Sequence, residues 1–445
     1  MRQSISRRRA LKLGAATSAL PLVHIRSAAA AGKLSLALWD HWVPEGNTAM
    51  RRLVNIWADK NKVEVQLDFL TAIGNKINIT MAAEAAARTG HDVYAFDMWT
   101  VHEFAEALDP VDDVVKGLTD KYGKIAGAVE YLGKANGHWM AVPVGWGSAP
   151  LATCARISML KKFAGIDVTQ WYPAHESTPQ AAADWTYDTQ LRAAEACKKA
   201  GFPFGLGCGA TTDSNQTWGA TFGAFGAHLI NAKDDIIVDS DNVRMALEYA
   251  KKMLPNLPED TVSYDDASNN RALISGKSAL IWNPPSAWAV AKRDAPAIAE
   301  DCWTFPNPRG PKGRLVPYRP YFWGVWQFAQ NKSAAKDLIT FLSQREQVEV
   351  LAQAVIGYDI PPFLSMSDLK IWSEVGPPTG TVYNYPIRPW HDAEYYVTGS
   401  SGPPEIAVQM WNRGTVPTMV AKLFAGLSID QTIAWAKDEL EGFKR

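Results

Sequence analysis

From Lys33 to Trp39 apolar and polar side chains alternate, the period-two pattern of a strand with one covered face. Gly46-Asn47 then opens a stretch in which Ala49, Leu53, Ile56 and Trp57 recur at helical spacing. Alternation returns over Val63–Phe69. An Ala-rich helix is predicted from Lys76 to Arg88, stopped by Gly90, and Asp92–Asp97 reads as a third strand. Strand, helix, strand, helix, strand with short connections predicts a parallel sheet wrapped by helices. Near the other end, Ile429, Ile433, Ala436, Leu440 and Phe443 keep three- and four-residue spacing and predict a closing helix.

In parallel sheets ligands bind beyond the carboxyl ends of the strands. Those ends carry Trp39-Asp40-His41, Phe69-Leu70-Thr71 and Asp97-Met98-Trp99. They combine flat apolar rings with hydrogen-bonding groups.

The amino terminus changes the picture of where the chain works. Ser6-Arg7-Arg8-Arg9-Ala10-Leu11-Lys12 resembles the twin-arginine export signal, Ser/Thr-Arg-Arg-x-Phe-Leu-Lys, with Ala10 in place of Phe. A weakly apolar run, Leu11–Leu22, follows; it is shorter than the roughly 20 residues a permanent span needs. Ala28 to Ala31 then offer an Ala-x-Ala-type cleavage site. Residues 1–31 are therefore expected to be a signal peptide, removed to leave a soluble periplasmic protein. They carry six basic and no acidic residues, so the 45 basic and 46 acidic residues become 39 and 46, net −7. An acidic, unclustered surface argues against nucleic acid or anionic membrane as partners. Roughly 410 mature residues exceed what one core supports, so two lobes are expected.

Eighteen tryptophans are an excess that core packing alone does not call for, because each indole N–H needs a partner. Four cysteines (Cys154, Cys197, Cys208, Cys302) are too few for a disulfide scaffold. Export permits one bond, with Cys197 and Cys208 closest in sequence, and buried free thiols are the alternative. Enzyme signatures are missing: no G-x-S-x-G, no paired C-x-x-C and no His-x-x-x-His occur. Gly205–Gly209 lacks the third glycine of a dinucleotide loop, and Asp213-Ser214-Asn215-Gln216 is not expected to open a helix. His102 and Glu106 at i, i+4 read as a solvated helix face. No cofactor and no metal are expected.

Several blocks, in order, resemble the extracellular solute-binding proteins of bacterial ABC importers, the group that includes maltose-binding protein. After the opening strands, with Ala83–Ala86 and Gly90-His91-Asp92-Val93, come Asn136–Pro143 and Met159–Asp167. Asp184-Trp185-Thr186-Tyr187-Asp188 stands where the family shows a Trp-Asp-Glu helix start. Gly276–Trp282 with Trp288 is similar to the family's Gly-Lys-x-Ala-Met strand. Trp323–Phe328 precedes Ser333–Phe341, similar to its Gly-centred strand and following helix. The resemblance covers residues 33–445. It implies an α/β, two-lobed type II periplasmic-binding-protein fold with a hinged cleft. Crossings are expected near Pro143–Trp146, Tyr321–Trp326 and Lys370–Glu374. Lobe one is then 33–144 plus 324–371, and lobe two 145–323 plus 372–445.

Carbohydrates offer C–H faces for aromatic stacking and hydroxyls for paired donors and acceptors. Expected ligand-binding residues are Trp39, Asp40, His41, Asp97 and Trp99 from lobe one. From lobe two and the crossings come Trp146, Asn215, Trp218, Trp282, Asn283, Tyr321 and Trp411. Arg319 and Tyr318 sit beside the second crossing, where a surface salt bridge is an equal alternative. The expected function is a monomeric, non-enzymatic binding component that closes on a small polar solute and delivers it to a membrane permease. A neutral sugar, oligosaccharide or polyol is expected. The alternatives are a cationic or quaternary-ammonium solute in an aromatic cage and a periplasmic glycoside hydrolase.

Overall fold

The computed structural model describes residues 32–173, 183–283, 285–375, 378, 391–399 and 402–444. The signal expected at residues 1–31 lies outside the described residues. The opening strands form as the alternation predicts. Lys33–Trp39 lies between Glu64–Leu70 and Val93–Asp97 and is parallel to both, in register from Lys33↔Glu64 to Trp39↔Leu70 and at Leu36↔Val93. Its central place explains why it is buried on both faces from Leu36 to Trp39.

The helix Pro44–Asn61 starts on a proline, whose missing N–H costs nothing at that position. It buries Gly46, Ala49, Met50, Leu53, Val54 and Trp57. Ile56, which its spacing placed on the inner face, is 51% exposed. It sits roughly 100° around the helix from Trp57 and so leaves the buried stripe. The helix Ile429–Phe443 is anchored by a capping box between Ser428 and Gln431 and buries Ile433, Ala436 and Leu440.

Two large hydrophobic cores hold this two-lobed α/β fold together. One gathers around the eight-stranded sheet, with Leu36, Trp39, Met50, Phe96, Trp323 and Leu338 inside it. The other gathers on the three-stranded sheet of Thr153–Arg156, Leu280–Trp282 and Cys302–Phe305, with Trp185, Trp218, Leu247 and Met419. Two long antiparallel strands, Val142–Pro150 and Gly313–Trp326, run side by side, from Trp323↔Val142 to Tyr318↔Pro150. The second also pairs with Val93–Asp97 in the large sheet and, through Leu315, reaches the other core. Their ladder is interrupted between Arg319 and Tyr321, at Pro320, which has no N–H to donate. Opposite the break, Gly147 takes φ +82°, and a Cβ there would lie 2.9 Å from the Tyr321 ring and 3.0 Å from Trp39.

All four cysteines are buried free thiols, so Cys197 and Cys208 are not bonded. Among the described residues no helix is long and apolar enough to cross a membrane.

Candidate ligand-binding cleft

A cavity of about 530 Å³ opens where strand ends, crossing strand and second lobe converge. Strand Val93–Asp97 contributes Asp97, and the short helix after it contributes Thr100 and Glu103. The segment following Glu64–Leu70 supplies an aliphatic wall, with Ile73, Ile77 and Ile79. The second lobe presents Thr211, Thr212 and Asn215 from the start of helix Thr212–Phe225, and Asp265 and Asp266 from a loop. Trp411 and Asn412, near the end of helix Pro404–Arg413, complete that side, and Arg319 and Tyr321 form the floor.

Local hydrogen bonds hold these groups. Thr211 caps the helix by accepting from the Ser214 N–H at 3.2 Å. Asn215 Nδ2 donates to the Trp411 carbonyl at 3.1 Å, fixing the two cleft-lining helices to each other. Behind the wall, Asp213 Oδ2 accepts from Asn269 at 2.9 Å and from Asn283 at 3.2 Å. The Asp213 N–H donates to Asp266 Oδ1 at 3.0 Å.

Arg319 is 4% exposed, its guanidinium 5.7 Å from the Trp39 ring centroid and 5.4 Å from that of Tyr321. Burial opposes its charge, but Tyr321, Tyr358, Asp213 and Asp97 more than offset this and raise its pKa. Burial pushes Asp97 up to about 6, with Arg319 pulling it back and Asp266 pushing further. Burial likewise raises Asp213 to about 7, helped by Asp266 and opposed by Arg319. The floor is thus one buried cation between two reluctant carboxylates.

Of the residues expected at the site, Asp97, Asn215, Tyr321 and Trp411 line this cleft. Trp282 lines a small cavity that shares Thr211 and Asp265 with it, and Asn283 supports Asp213. Trp39 is fully buried beneath Arg319. Trp99, Trp146 and Trp218 are buried as well, their indoles donating to Thr398 O, Trp39 O and Gly207 O. Asp40 accepts from Asn47 at 2.7 Å, and His41 contacts Asp359. Arg319 is buried at the cleft rather than paired at the surface. Asp213–Gln216 do lie in the first turns of the helix Thr212–Phe225, against the sequence expectation, and Thr211 rather than a glycine supplies its cap. Thr211 and Thr212 follow from that missed start. Asp265 and Asp266 lie in a loop outside any periodic pattern, and the sequence offered no sign of them; Asn412 was missed although it follows the expected Trp411 on the same helix.

Two α/β lobes joined by crossing strands, with a polar cleft at the joint, define a solute-binding protein. The sequence model of the bacterial extracellular solute-binding protein family matches residues 53–376, and the chain belongs to that family. It is a binding protein, not an enzyme. No curated protein sequence matches the chain. Among solved structures it is similar to maltose-bound MalE3 of T. maritima, at 18% identity and TM-score 0.73, over 92% of this chain and 99% of that one. It is also similar to a sugar transporter from Arthrobacter chlorophenolicus A6 with bound laminaribiose, at 16% identity and TM-score 0.72, over 93% and 99%. The GacH receptor of Streptomyces glaucescens, described with acarbose, gives 18% identity and TM-score 0.70 over 93% and 98%. These likenesses establish the two-lobed fold.

Proposed function

We propose that this protein captures a sugar, short oligosaccharide or polyol in the cleft and delivers it to the membrane permease of an ABC importer. The observation that carries the reading is the cleft's mixed lining. Tyr321 and Trp411 offer aromatic surface, while Asp97, Asn215, Arg319 and Asn412 offer acceptors and donors for hydroxyls. Similar proteins are described with maltose, laminaribiose and alpha-D-tagatose, which supports the same class here. The lobes divide at the crossings near Pro143–Trp146, Tyr321–Trp326 and Lys370–Glu374. A ligand touching both lobes stabilises the closed form by its differential contacts, and the permease reads that form.

Export by the twin-arginine route belongs to this proposal, on the motif at Ser6–Lys12. Replacing Arg7 and Arg8 together by Lys should leave the protein unprocessed in the cytoplasm; undiminished periplasmic recovery would remove that route. Binding is tested by a thermal-shift screen of residues 32–445 against sugars, polyols, amino acids and quaternary amines. A ligand at a hundred times its Kd adds about 2.7 kcal/mol of stability. A shift with a carbohydrate and no chemical product supports the proposal; shifts confined to amino acids or quaternary amines overturn it.

A further inference from the structure

The ladder between the two long crossing strands is uneven at the cleft floor. Val144 is in register with Tyr321 and Ala149 with Arg319, so residues 145–148 of one strand face Pro320 alone on the other. An insertion of that kind leaves backbone groups outside the ladder, and Pro320 brings no N–H of its own. A side chain spans the gap instead. The Tyr321 N–H donates to Ser148 Oγ at 2.7 Å, and the Ser148 hydroxyl donates in turn to the Val144 carbonyl at 2.7 Å. One hydroxyl thus stands between the N–H and the carbonyl of a register pair. Ser148 is itself held from a third segment of the chain. The Ile360 N–H donates to its carbonyl at 2.9 Å, and Asp359 Oδ1 accepts from the neighbouring Gly147 N–H at 2.9 Å.

What this spacer holds is the floor of the cleft. Arg319 and Tyr321 stand on either side of Pro320, and both line the cavity, whereas the buried Ser148 does not. The Tyr321 ring lies 5.4 Å from Trp39 between centroids, and a Cβ on Gly147 would come within 2.9 Å of it. The Arg319 guanidinium is 5.4 Å from the same ring, so a movement of Tyr321 disturbs both groups. Bulges beside binding sites re-aim side chains in this way. Without the hydroxyl, the Tyr321 N–H and the Val144 carbonyl must either bond directly, drawing the strands together, or stay unpaired in the interior. Each outcome shifts Tyr321.

We infer that Ser148 is a positioning residue for ligand binding, its hydroxyl a spacer between the crossing strands that sets where Tyr321 and Arg319 meet the solute. The inference rests on the cleft's being the binding site, and not on the solute's being a carbohydrate. Affinity benefits because the floor is held in its binding geometry before the solute arrives.

The test is calorimetric titration of the parent, Ser148→Ala and Ser148→Thr, well below every melting temperature so that all are folded. The probes are maltose, laminaribiose and D-tagatose, followed by the remaining sugars, polyols, amino acids and quaternary amines of the thermal-shift panel. Trp99→Phe is the control, because it loses a buried hydrogen bond away from the floor. Ser148→Ala should bind about five- to tenfold more weakly than the parent, the effect of losing one buried hydrogen bond. Ser148→Thr keeps the hydroxyl and should stay within about twofold, as should the control. Should the alanine variant not fold, Ser148→Cys replaces it; its longer, weaker link should weaken binding likewise. Parent affinity in Ser148→Ala with a lowered melting temperature makes the hydroxyl structural only; this overturns the inference and leaves the cleft's function standing. A threonine variant as weak as the alanine one also overturns it. Binding of no probe by the parent overturns the cleft reading and the inference with it.

Discussion

His41 Nε2 lies 3.1 Å from Asp359 Oδ1, joining groups 318 positions apart in a buried contact. The Val43 N–H donates to His41 Nδ1 at 2.9 Å, so the ring's own hydrogen sits on Nε2 and is given to the carboxylate. The same Asp359 oxygen accepts from the Gly147 N–H at 2.9 Å. One carboxylate therefore ties the end of the first strand to a crossing strand. His41→Ala should cost about 2–4 kcal/mol in urea unfolding, because it strips a donor from a buried charge and leaves a void. A cost below about 1 kcal/mol would mean that Gly147 suffices.

Two tryptophans should separate by role. Trp411 lines the cleft, whereas Trp99 is buried and donates to Thr398 O at 2.8 Å. Trp411→Ala should weaken ligand binding by about 1–3 kcal/mol, the usual loss for an aromatic anchor. Trp99→Phe removes one buried hydrogen bond and should lower stability by about 1 kcal/mol with affinity nearly unchanged. Titration and denaturation of both variants decide it, and reversed outcomes would move the ligand toward Trp99.

The contrast shows how far the chain could be read unaided. Period-two and helical spacing are local, and they gave Lys33–Trp39, Val93–Asp97 and Ile429–Phe443 to within a few residues. Whether a ring at a strand end turns into the cleft or under the sheet depends on partners far away in sequence. Trp39 is covered by Arg319 and Tyr321, both contributed by the crossing strand almost 300 residues later. Asp265 and Asp266 enter the site from a loop, where no periodicity marks them. Asp97 was legible because a carboxylate that ends a parallel strand points where ligands bind.

His91 sits between two carboxylates, with Nδ1 2.6 Å from Glu84 and Nε2 3.1 Å from Asp68. Burial lowers its pKa, but the hydrogen bonds its ring donates to Glu84 and Asp68 prevail and the net direction is upward. The protonated form is thus favoured in the folded state. Its stabilisation is fully present below about pH 6.5 and is lost as pH rises through the folded-state value. His91→Gln should flatten the decline in stability above that pH; a parallel decline in both proteins would assign the effect elsewhere.

Asp213 should behave in a related way for the opposite reason. Burial first, then Asp266, raises its pKa to about 7, from the ordinary 3.8 expected when unfolded. Between those values the folded protein keeps a proton that the unfolded chain has released. Stability from this group therefore falls as pH climbs from about 4 to 7, then levels. Asp97, raised to about 6, adds a slope of the same sign and remains in an Asp213 variant. Asp213→Asn keeps a carbonyl oxygen to accept from Asn269 and Asn283, so the wall survives. The variant should match or trail the parent at pH 4 and gain on it by about 1–2 kcal/mol at pH 8. Removing a counter-charge from Arg319 acts against this gain, but Asp97 still neutralises the guanidinium. Urea unfolding at both pH values is the measurement. A variant that loses ground between pH 4 and pH 8 would show that Asp213 is needed as an anion, and that its charge attraction to Arg319 outweighs its burial.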